Sequence, residues 1–419
     1  MPALQPVRGT QDLLPETMRR HRRVSDTARD LARLYGFAEI ATPIFEFTEV
    51  FTRPIGEHTD IVSKEMYTFH DRGGEEITLR PENTAGVVRA VLSNGLTQQT
   101  PLKFFYSGPM FRYERPQKGR FRQFHQIGAE ILGVPQPQAD IELIALGQRI
   151  LNSLGIGERV VLELNTLGDP ESRIAYRDAL VTYLSAHRAH LSEDSRERLD
   201  RNPLRILDSK DDGDRRIVAD APAFEDFLNP HSQHFFADVR AGLDRLGIAY
   251  RINQRLVRGL DYYTHTVFEF VTTDLGAQGT VLAGGRYDGL VELMGGPAMA
   301  GVGWAAGIER LAMLIPEPPP PPRPIVVIPI GAEGEHMALT IAETLRSGNC
   351  HVELSYSGNL SRRMRYANRI SARAAVLIGE DERAHNVVKL RDLDSGEEHE
   401  ISMDLSLSAL RERIRSLGE

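Results

Sequence analysis

The segment LVRGLDYYTHTVFE, residues 256–269, carries the strongest indication of both fold and function in this chain. It places an arginine, an aspartate, two adjacent tyrosines and a histidine directly ahead of an apolar strand. Core strands rarely carry so many polar groups, because a buried charge is costly unless a partner or a ligand compensates it. The segment therefore predicts a strand that begins at a binding site for a small, charged substrate.

Strand signals on both sides of this segment predict a large sheet with flanking helices. Residues 16–35 and 139–155 carry apolar side chains at helical spacing, and residues 169–247, rich in Arg, Asp and Glu, predict a mostly helical insertion. A polar loop with Gly and Pro separates two of the predicted strands, 103–107 and 123–132, which is typical of an antiparallel pair. The predicted strands are Phe37–Ile40, Ile77–Leu79, Lys103–Ser107, Gln123–Leu132, Val160–Leu164, Tyr250–Asn253, Thr266–Thr272 and Gly279–Ala283.

The proline-rich run 316–324 marks the clearest domain boundary, because consecutive prolines favour an extended, semi-rigid spacer. Strands and helices alternate after it, which predicts a small, partly parallel sheet. We therefore expect a first domain over residues 1–315, a linker over 316–324 and an α/β domain over 325–419. The elements predicted in the last domain are strands Ile325–Ile330, His351–Tyr356 and Ala374–Ile378, a hairpin, and helices 334–347, 359–370 and 404–417.

Composition limits the classes of protein to which the chain can belong. A formal net charge of -8 over 419 residues gives no overall basic field, so a nucleic acid has to bind a local patch. The single cysteine, Cys350, excludes an intramolecular disulfide and a zinc site built from several cysteines. The N-terminus has no signal-peptide pattern and no apolar run is long enough to span a membrane, so we expect a cytoplasmic protein.

A basic loop follows the predicted strand 103–107. Arg112 lies just beyond that strand, where its guanidinium can be held rigidly, and a planar guanidinium suits phosphate. A solvated, charged hairpin is the alternative interpretation of this loop. The remaining cations of the loop, with Phe121 among them, are Arg115, Lys118, Arg120 and Arg122.

Two further segments could contribute to a site. Residues 301–313 predict a Gly-rich strand that runs into a helix carrying Arg310, and small residues allow a ring or a phosphate to approach the backbone. Close helix–sheet packing explains the glycines equally well. Residues 78–84 end a strand with Glu82 and Thr84, where a turn with a helix cap is the alternative.

Side-chain alternation sorts the candidate polar residues by face. Gln126 and Glu130 are four residues apart in one strand and share a face, on which they could bind a polar ligand or meet solvent. Tyr262 and Tyr263 point to opposite faces if the segment is extended, so we expect only one of them to line the pocket centrally. Tyr287, with Arg286 beside it, is a candidate for a lid or a wall.

Histidine and arginine patterns give two more predictions. His58, His125 and His265 lack the spacing of a metal site and are expected to be structural or accessory. An arginine run along one predicted helix of the last domain, with Tyr366 among it, suits phosphate contact and base stacking, although a solvated helix face is the alternative. The run comprises Arg362, Arg363, Arg365, Arg369 and Arg373.

Taken together, these segments resemble the histidyl-tRNA synthetases, a family of class II aminoacyl-tRNA synthetases. The resemblance extends over essentially the whole chain. It implies an α+β fold with a six-stranded type of antiparallel catalytic sheet, flanking helices, a C-terminal anticodon-binding domain and a homodimer. The matching segments are residues 8–15 (RGTQDLLP), 78–84, 108–130, 202–208 (NPLRILD), 256–269, 283–290 and 301–311.

The resemblance also implies a reaction. L-Histidine and ATP, accompanied by Mg²⁺, give histidyl-adenylate and pyrophosphate, and the histidyl group then passes to the 3′ end of tRNA(His). Arg112 and Arg310 match the arginines on the α- and γ-phosphates, and Arg258 matches a catalytic arginine between the α-phosphate and the histidine carboxylate. No side chain is assigned to a metal.

Further roles follow from the same resemblance. Gln117 and Arg120 match contacts to the tRNA acceptor end or to ATP. The arginines Arg362, Arg363 and Arg365 are the candidates for tRNA contact in the last domain. The implied histidine-binding residues are Glu82, Asn83, Thr84, Gln126, Glu130, Arg258, Tyr262, Tyr263 and Tyr287.

Two other functions compete with this interpretation. Synthetase-like regulatory subunits of ATP phosphoribosyltransferase share the catalytic fold and sense histidine, but they typically lack the anticodon-binding domain and parts of the ATP apparatus. A stand-alone adenylate-forming enzyme that uses no tRNA is the third. The retained arginines Arg112, Arg258 and Arg310 argue against the first, and the domain at 325–419 with its arginine run argues against both.

Overall fold

A computed structural model gives the architecture of the chain. It describes residues 4–56, 59, 61–207, 209–257, 262–276, 279–404 and 406–417. The chain divides into two compact units, Met1–Pro318 and Pro319–Glu419. No helix in the described part is both long and apolar enough to cross a membrane.

Eleven strands occur among the described residues of the first unit, and eight of them form one large sheet. In chain order the strands are β1 (Ala38–Glu39), β2 (Phe45–Phe47), β3 (Tyr67–His70), β4 (Glu76–Leu79), β5 (Leu102–Phe111), β6 (Gln123–Leu132), β7 (Val161–Thr166), β8 (Tyr250–Ile252), β9 (Thr264–Val271), β10 (Thr280–Arg286) and β11 (Gly301–Gly307). Every strand predicted for this unit is present, β6 with the predicted ends and the others with shifted ends. The short strands β2 and β3 were not predicted, because their largely exposed residues lack the alternation of a half-buried strand.

The large sheet has the strand order β1-β5-β6-β11-β10-β9-β7-β8. Its six central strands are antiparallel, and one parallel strand is added at each edge by the pairs β1–β5 and β7–β8. This confirms the predicted antiparallel sheet and the antiparallel pair β5–β6. Strands β2, β4 and β3 form a separate three-stranded sheet.

Helices cover this framework and supply the predicted insertion. They are α1 (Pro15–Leu34), α2 (Glu49–Ile55), α3 (Thr84–Ser93), α4 (Gln138–Ser153), α5 (Pro170–Ala186), α6 (Glu193–Arg201), α7 (Asp212–Ala219), α8 (Pro230–Arg245), α9 (Leu290–Leu293) and α10 (Ile308–Leu314). Helices α1, α4 and α8 share an apolar core with one face of the large sheet. Helices α5, α6 and α7 belong to a second core, which includes α3 and Tyr262.

Local sequence explains where the insertion helices begin. Asp169, Ser192, Asp211 and Asn229 each stand at an N-cap, and the side chain of each accepts a hydrogen bond from a backbone N–H of the first turn. Such caps satisfy donors that the helix itself leaves unpaired. Polar residues that resemble a solvated run in the sequence therefore set the helix boundaries.

Arg286 has a structural role and does not form the lid or wall that the sequence suggested. Its side chain is fully buried, and its guanidinium pairs with Asp140 of α4 and Asp288. It also donates to the carbonyl oxygens of Val134 and Gln136, each at 3.1 Å. The guanidinium therefore ties β10 to α4 behind the sheet.

The second unit is a five-stranded sheet with helices on both faces. Its elements are β12 (Ile325–Pro329), α11 (Ala332–Ser347), β13 (Val352–Leu354), α12 (Leu360–Arg369), β14 (Ala374–Ile378), α13 (Glu380–Ala384), β15 (Val387–Asp392), β16 (Glu398–Ser402) and α14 (Ser408–Ser416). The order is β13-β12-β14-β15-β16, with parallel pairing among the first three strands and antiparallel pairing among the rest. Helices α11 and α14 pack on one face and α12 on the other. The predicted partly parallel sheet is confirmed.

Candidate active site

A cavity of about 350 Å³ lies over the central strands of the large sheet. Its wall combines four arginines with four carboxylates and two tyrosines, so it suits a ligand that carries charge of both signs. The charged and phenolic lining residues are Arg112, Arg120, Arg205, Arg310, Glu82, Glu114, Glu269, Glu309, Tyr262 and Tyr263.

Two arginines are fixed at the sheet by backbone carbonyl groups. Arg112 directly follows β5, and its Nε donates to the carbonyl oxygen of Pro81 at 2.8 Å. Arg310 lies in the first turn of α10, and its Nη1 donates to the carbonyl oxygen of Thr280 at 2.8 Å. Burial, together with the nearby Arg120, lowers the pKa of Arg310. An anion bound between these guanidinium groups would be stabilised by fixed positive charge.

The loop between β5 and β6 folds back over this end of the cavity. Arg120 lies 2.7 Å from Glu114 in an ion pair, and Arg310 Nε donates to the carbonyl oxygen of Gly119 at 3.3 Å. Gln117 pairs with Arg120 through the backbone, but its side chain is exposed and does not line the cavity. The loop therefore brings Arg120 to the ligand and leaves Gln117 at the surface.

A buried carboxylate lies directly behind a residue of the cavity wall, Thr84. Glu130 has no exposed surface, and its Oε1 accepts a hydrogen bond from Thr84 Oγ1 at 2.7 Å. Its Oε2 accepts one from Tyr287 Oη at 2.6 Å, and Tyr106 Oη lies 3.5 Å from Oε1. Burial raises the pKa of Glu130 from 4.5 to about 8, against the opposing effect of these hydroxyl groups.

Neighbouring glycines make room for this carboxylate. Gly303 is the cross-strand partner of Glu130, and a Cβ at Gly303 would lie 1.5 Å from Glu130 Oε2. Gly128 stands opposite Tyr106, and a Cβ there would lie 2.3 Å from the Tyr106 hydroxyl oxygen. Gly303 of β11 thus makes room for a buried polar group, in addition to the helix–sheet packing considered from the sequence.

The segment 78–84 contributes two residues to the site and one to its support. Glu82 lines the cavity, and its carboxylate accepts the backbone N–H groups of Thr84 at 2.7 Å and Ala85 at 2.9 Å. Burial raises the pKa of Glu82. Asn83 was predicted to bind the ligand, but its Oδ1 accepts from Thr42 Oγ1 and Arg80 at 2.7 and 3.2 Å. Its amide faces these two side chains and not the cavity, because the cap of α3 turns it inward.

Both Tyr262 and Tyr263 line the cavity, so the prediction that only one would do so is wrong. Their ring centroids are 4.7 Å apart, and β9 begins only at Thr264. The two residues therefore precede the extended segment on which the alternation argument relied. Tyr287 stacks edge-on to Tyr262 at 5.8 Å and reaches Glu130 from behind the cavity wall.

Apart from the paired Arg120 and Glu114, one cavity-lining residue has a buried polar atom without a hydrogen-bond partner within the described residues. The atom is Oε1 of Gln126. Buried polar atoms are nearly always paired, so an unpaired one beside a cavity indicates a ligand. Gln126 lies on β6 four residues before Glu130, and Ile127, Ala129 and Ile131 lie in the core behind the sheet, as the alternation predicted.

Arg258 and Asp261 lie outside the described residues, as does His58. The described residues on either side of that stretch, Val257 and Tyr262, both line the cavity. The role predicted for Arg258 stays a prediction.

Sequence reasoning missed several cavity residues. Glu114 and Glu269 line the cavity, and neither was singled out among the charged residues around it. Arg205 also lines it from the insertion, and its only signal was the NPLRILD motif. Its position depends on how the insertion folds back, which local patterns do not reveal.

His265 supports the start of β9. It has a φ of +45°, an unusual value for a residue with a side chain, and its ring stacks on Phe235 of α8 at 4.7 Å. Its backbone N–H donates to Gly168, and its carbonyl oxygen accepts from Leu167. Burial lowers the pKa of His265 to about 4. These contacts join the strand to the entrance of the insertion, in line with the structural role expected for this histidine.

The arginine run of the second unit separates into two groups. A surface pocket is formed by Arg362, Arg365 and Arg369 with Tyr356 and Tyr366. Arg363 was placed with them from the sequence, but it is buried and bonds inside the unit. Its guanidinium donates to the carbonyl oxygens of Ser355 and Gly358 and to Glu335 at 2.8 to 2.9 Å.

Arg373 also departs from the predicted run. Its guanidinium pairs with Asp392 and Asp394 and donates to the carbonyl oxygen of Leu417. It follows α12 and does not line the surface pocket.

Comparison with known proteins gives consistent matches. A family model described as histidyl-tRNA synthetase matches residues 9–172 and 177–311, and an anticodon binding domain model matches residues 324–413. A histidine–tRNA ligase of Rhodospirillum rubrum is 61% identical over 404 residues, which cover 96% of this chain and 97% of that protein.

Solved structures agree with these matches. The crystal structure of apo S. aureus histidyl-tRNA synthetase is 34% identical with a TM-score of 0.82, and the match covers 98% of this chain and 99% of that one. A protein of Bacillus halodurans, titled an ATP phosphoribosyltransferase regulatory subunit/histidyl-tRNA synthetase, shares the fold. Its TM-score is 0.66 at 19% identity, over 90% of this chain and 99% of that one.

The raised pKa of Glu130 predicts a specific dependence of stability on pH. Between its ordinary pKa and about 8, the folded protein holds a proton that the unfolded chain has released. The free energy of unfolding therefore falls as the pH rises through this window. Glu130→Gln removes this effect, so from pH 5 to 8 the wild type should lose up to about 4 kcal/mol relative to the variant.

Urea unfolding at several pH values measures this difference. Fluorescence of Trp304, the only tryptophan of the chain, reports on the large sheet. Glu75→Gln, in the exposed turn between β3 and β4, is the matched control and should follow the wild type. Parallel pH profiles for the wild type and Glu130→Gln would contradict the prediction.

Proposed function

Because this chain belongs to the histidyl-tRNA synthetase family, we propose which of its residues bind each substrate. As a member of that family it is an aminoacyl-tRNA synthetase and acts as a histidine–tRNA ligase, with ATP as a substrate. The observation that carries the proposal is the buried Glu130 beneath a cavity whose other end holds Arg112, Arg120 and Arg310.

Histidine is proposed to enter with its ring toward Glu130. An imidazole carries one N–H donor and one acceptor nitrogen. The Glu130 carboxylate accepts from the ring N–H, and a hydroxyl group of Tyr262 or Tyr263 donates to the other nitrogen. Thr84 and Tyr287 already donate to Glu130, so they hold the acceptor in place. An amino acid without these ring nitrogens leaves buried groups unpaired, which can cost on the order of 10⁴-fold in discrimination.

The ammonium group is proposed to lie between Glu82 and Gln126. Gln126 Oε1 is buried without a partner among the described residues, and Glu82 offers a carboxylate on the same cavity wall. The histidine carboxylate then points toward the arginine end. This places the reacting carboxylate between the ring pocket and the phosphate pocket.

ATP is proposed to bind along the arginine end. The histidine carboxylate attacks the α-phosphorus, an O–P bond forms, and the bond to pyrophosphate breaks. Arg112 and, by the resemblance, Arg258 offset the charge on the α-phosphate, while Arg310 and Arg120 hold the outer phosphates. Such catalysis by positioning and fixed charge requires no protein nucleophile.

Magnesium is proposed to arrive with ATP. The cavity offers oxygen ligands of the kind that Mg²⁺ prefers, because the carboxylates of Glu269 and Glu114 line it. These residues would hold the ion, which would supply positive charge against the charge that develops on the leaving pyrophosphate.

Transfer completes the reaction at the same centre. The terminal ribose hydroxyl of tRNA(His) attacks the carbonyl carbon of the adenylate, and AMP leaves. Arg120 in the folded-back loop is proposed to assist at the cavity, while the exposed Gln117 at the loop tip faces an incoming acceptor strand.

The competing regulatory function is less well supported. Regulatory subunits are expected to lack the anticodon-binding domain and parts of the ATP apparatus. In this chain Arg112 and Arg310 line the cavity, and residues 324–413 match an anticodon binding domain. The likeness to the Bacillus halodurans protein, at 19% identity, concerns the fold alone.

Tyr287→Phe tests the proposed ring pocket. The change removes one donor to Glu130, which leaves the carboxyl group less firmly positioned and raises its pKa further, so the KM for histidine should rise about tenfold, with the KM for ATP unchanged. Histidine-dependent exchange of pyrophosphate into ATP measures both constants. Tyr250→Phe, in β8 at the far edge of the sheet, is the matched control. An equal rise in both constants, or none, would refute the assignment.

The surface pocket of the second unit is proposed to bind anticodon nucleotides. Arginine and tyrosine side chains around it suit phosphate contact and base stacking, and Tyr356 is 81% exposed. Arg362, Arg365 and Arg369 are the proposed contacts. Arg363 supports the pocket from inside by holding Ser355 and Gly358.

Replacing Arg365 and Arg369 by alanine should raise the KM for tRNA(His) about tenfold or more and leave pyrophosphate exchange unchanged. Aminoacylation and exchange assays on one preparation provide the comparison. Arg415→Ala, exposed on α14 on the opposite sheet face, should behave like the wild type. An unchanged KM for tRNA(His) in the double variant would show that the RNA contact lies elsewhere.

The three-stranded sheet is proposed as the interface of a homodimer. Phe45 and Phe47 of β2 and Phe69 of β3 are 46 to 53% exposed, and the strand register places them on one face. Exposed aromatic clusters of this kind mark association surfaces. A second copy of the chain is the proposed occupant.

Phe47→Asp should convert the dimer to a monomer, because it buries a charge in an apolar interface. Light scattering during gel filtration measures the mass directly. Leu246→Asp, an equally exposed apolar position just after α8, is the control and should leave the mass unchanged. A wild-type protein with the mass of one chain would overturn this part of the proposal.

A further inference from the structure

A cluster of three potential metal ligands lies beside the cavity, in a place that the proposed reaction does not use. His21 of α1, His125 of β6 and Glu309 of α10 each offer one ligand atom, and these atoms lie within 4.8 Å of one another. His21 and Glu309 are buried, whereas about a quarter of the His125 side chain is exposed. The cluster therefore joins three elements at a point that solvent can still reach.

The existing contacts already hold two of the three groups in place. Glu309 accepts the backbone N–H of His125 with both oxygens at 2.9 Å, and Glu309 Oε1 lies 2.8 Å from His125 Nδ1. The His21 ring meets the His125 ring edge-on at 5.6 Å. One fixed carboxylate with two imidazoles supplies a single negative charge and two nitrogen donors.

We propose that His21, His125 and Glu309 form a binding site for a divalent transition-metal ion, with Zn²⁺ as the natural occupant. Two imidazoles and one carboxylate are a ligand set that zinc accepts, and a water molecule can complete four-coordination. Zinc–ligand bonds of about 2.0–2.2 Å require ligand atoms about 3.4 Å apart, so the widest pair has to close by about 1.4 Å. Rotation of the His21 side chain supplies that movement.

A metal ion bound at this site would affect the neighbouring cavity and the stability of the fold. His125 and Glu309 directly precede Gln126 and Arg310 in the chain, and Glu309 itself lines the cavity. An ion held by all three ligands would fasten α1 to β6 and α10. It would stabilise the folded unit and alter the phosphate end of the cavity.

Cobalt provides a spectroscopic probe, because Co²⁺ bound tetrahedrally absorbs visible light while zinc does not. The full-length protein, without a polyhistidine tag and freed of metal by a chelator, is titrated with Co²⁺ and then with Zn²⁺. We expect one Co²⁺ per chain with tetrahedral absorption, displaced by Zn²⁺, and a melting temperature that rises with Zn²⁺.

His21→Gln removes one ligand without touching the residues assigned to the reaction, and it should weaken Co²⁺ binding at least tenfold. His70→Gln, exposed on β3, is the matched control and should bind as the wild type does. Thermal unfolding in chelator shows whether His21→Gln folds normally, and the zinc-dependent rise in melting temperature should be absent from it. Binding equal in wild type and His21→Gln, or no tetrahedral Co²⁺ signal in the wild type, would show that the cluster is a hydrogen-bonded support only.

Discussion

The buried carboxylate of Glu130 is the constraint on which the rest of the site depends. A carboxylate with no exposed surface is stable only where hydroxyl groups, a proton or a ligand compensate its charge. The structure meets that requirement with hydroxyl groups from α3 and the segment after β10, and with glycines on the neighbouring strands that leave space for the acid. The glycine at position 303 of β11 is thus explained by one polar group on β6.

The two ends of the cavity have opposite electrostatic needs, and one ligand pair satisfies both. Burial disfavours the charged form of the groups on both sides. It raises the pKa of Glu130 and of Glu82, and it lowers the pKa of Arg310. Histidine brings an imidazole and an ammonium group, and ATP brings phosphates. Together they stabilise the charged forms of the glutamates and of the arginine. The unpaired oxygen of Gln126 belongs to a residue that lines the cavity, where recognition of the amino acid has to occur.

The sequence predicted the framework well, because strand alternation and helical spacing are local properties. The shared face of Gln126 and Glu130 and the place of Arg310 at a strand–helix junction both followed from that spacing. The orientations of Asn83 and Arg363 did not follow from local patterns, since a helix cap and a buried guanidinium are set by tertiary contacts. Alternation did not apply to Tyr262 and Tyr263, because both precede β9. Arg205 could not be found from local patterns, because the path of the insertion brings it to the cavity.

The central claim is that Glu130 accepts a hydrogen bond from the ring of bound histidine. Nitrogen-15 NMR of ring-labelled L-histidine bound to the protein tests it most directly. The account predicts two distinct ring-nitrogen signals, one protonated and one accepting, which persist across the pH range where free imidazole titrates, and which are lost in Glu130→Gln. Ring nitrogens that titrate in the bound state as they do in water would contradict it.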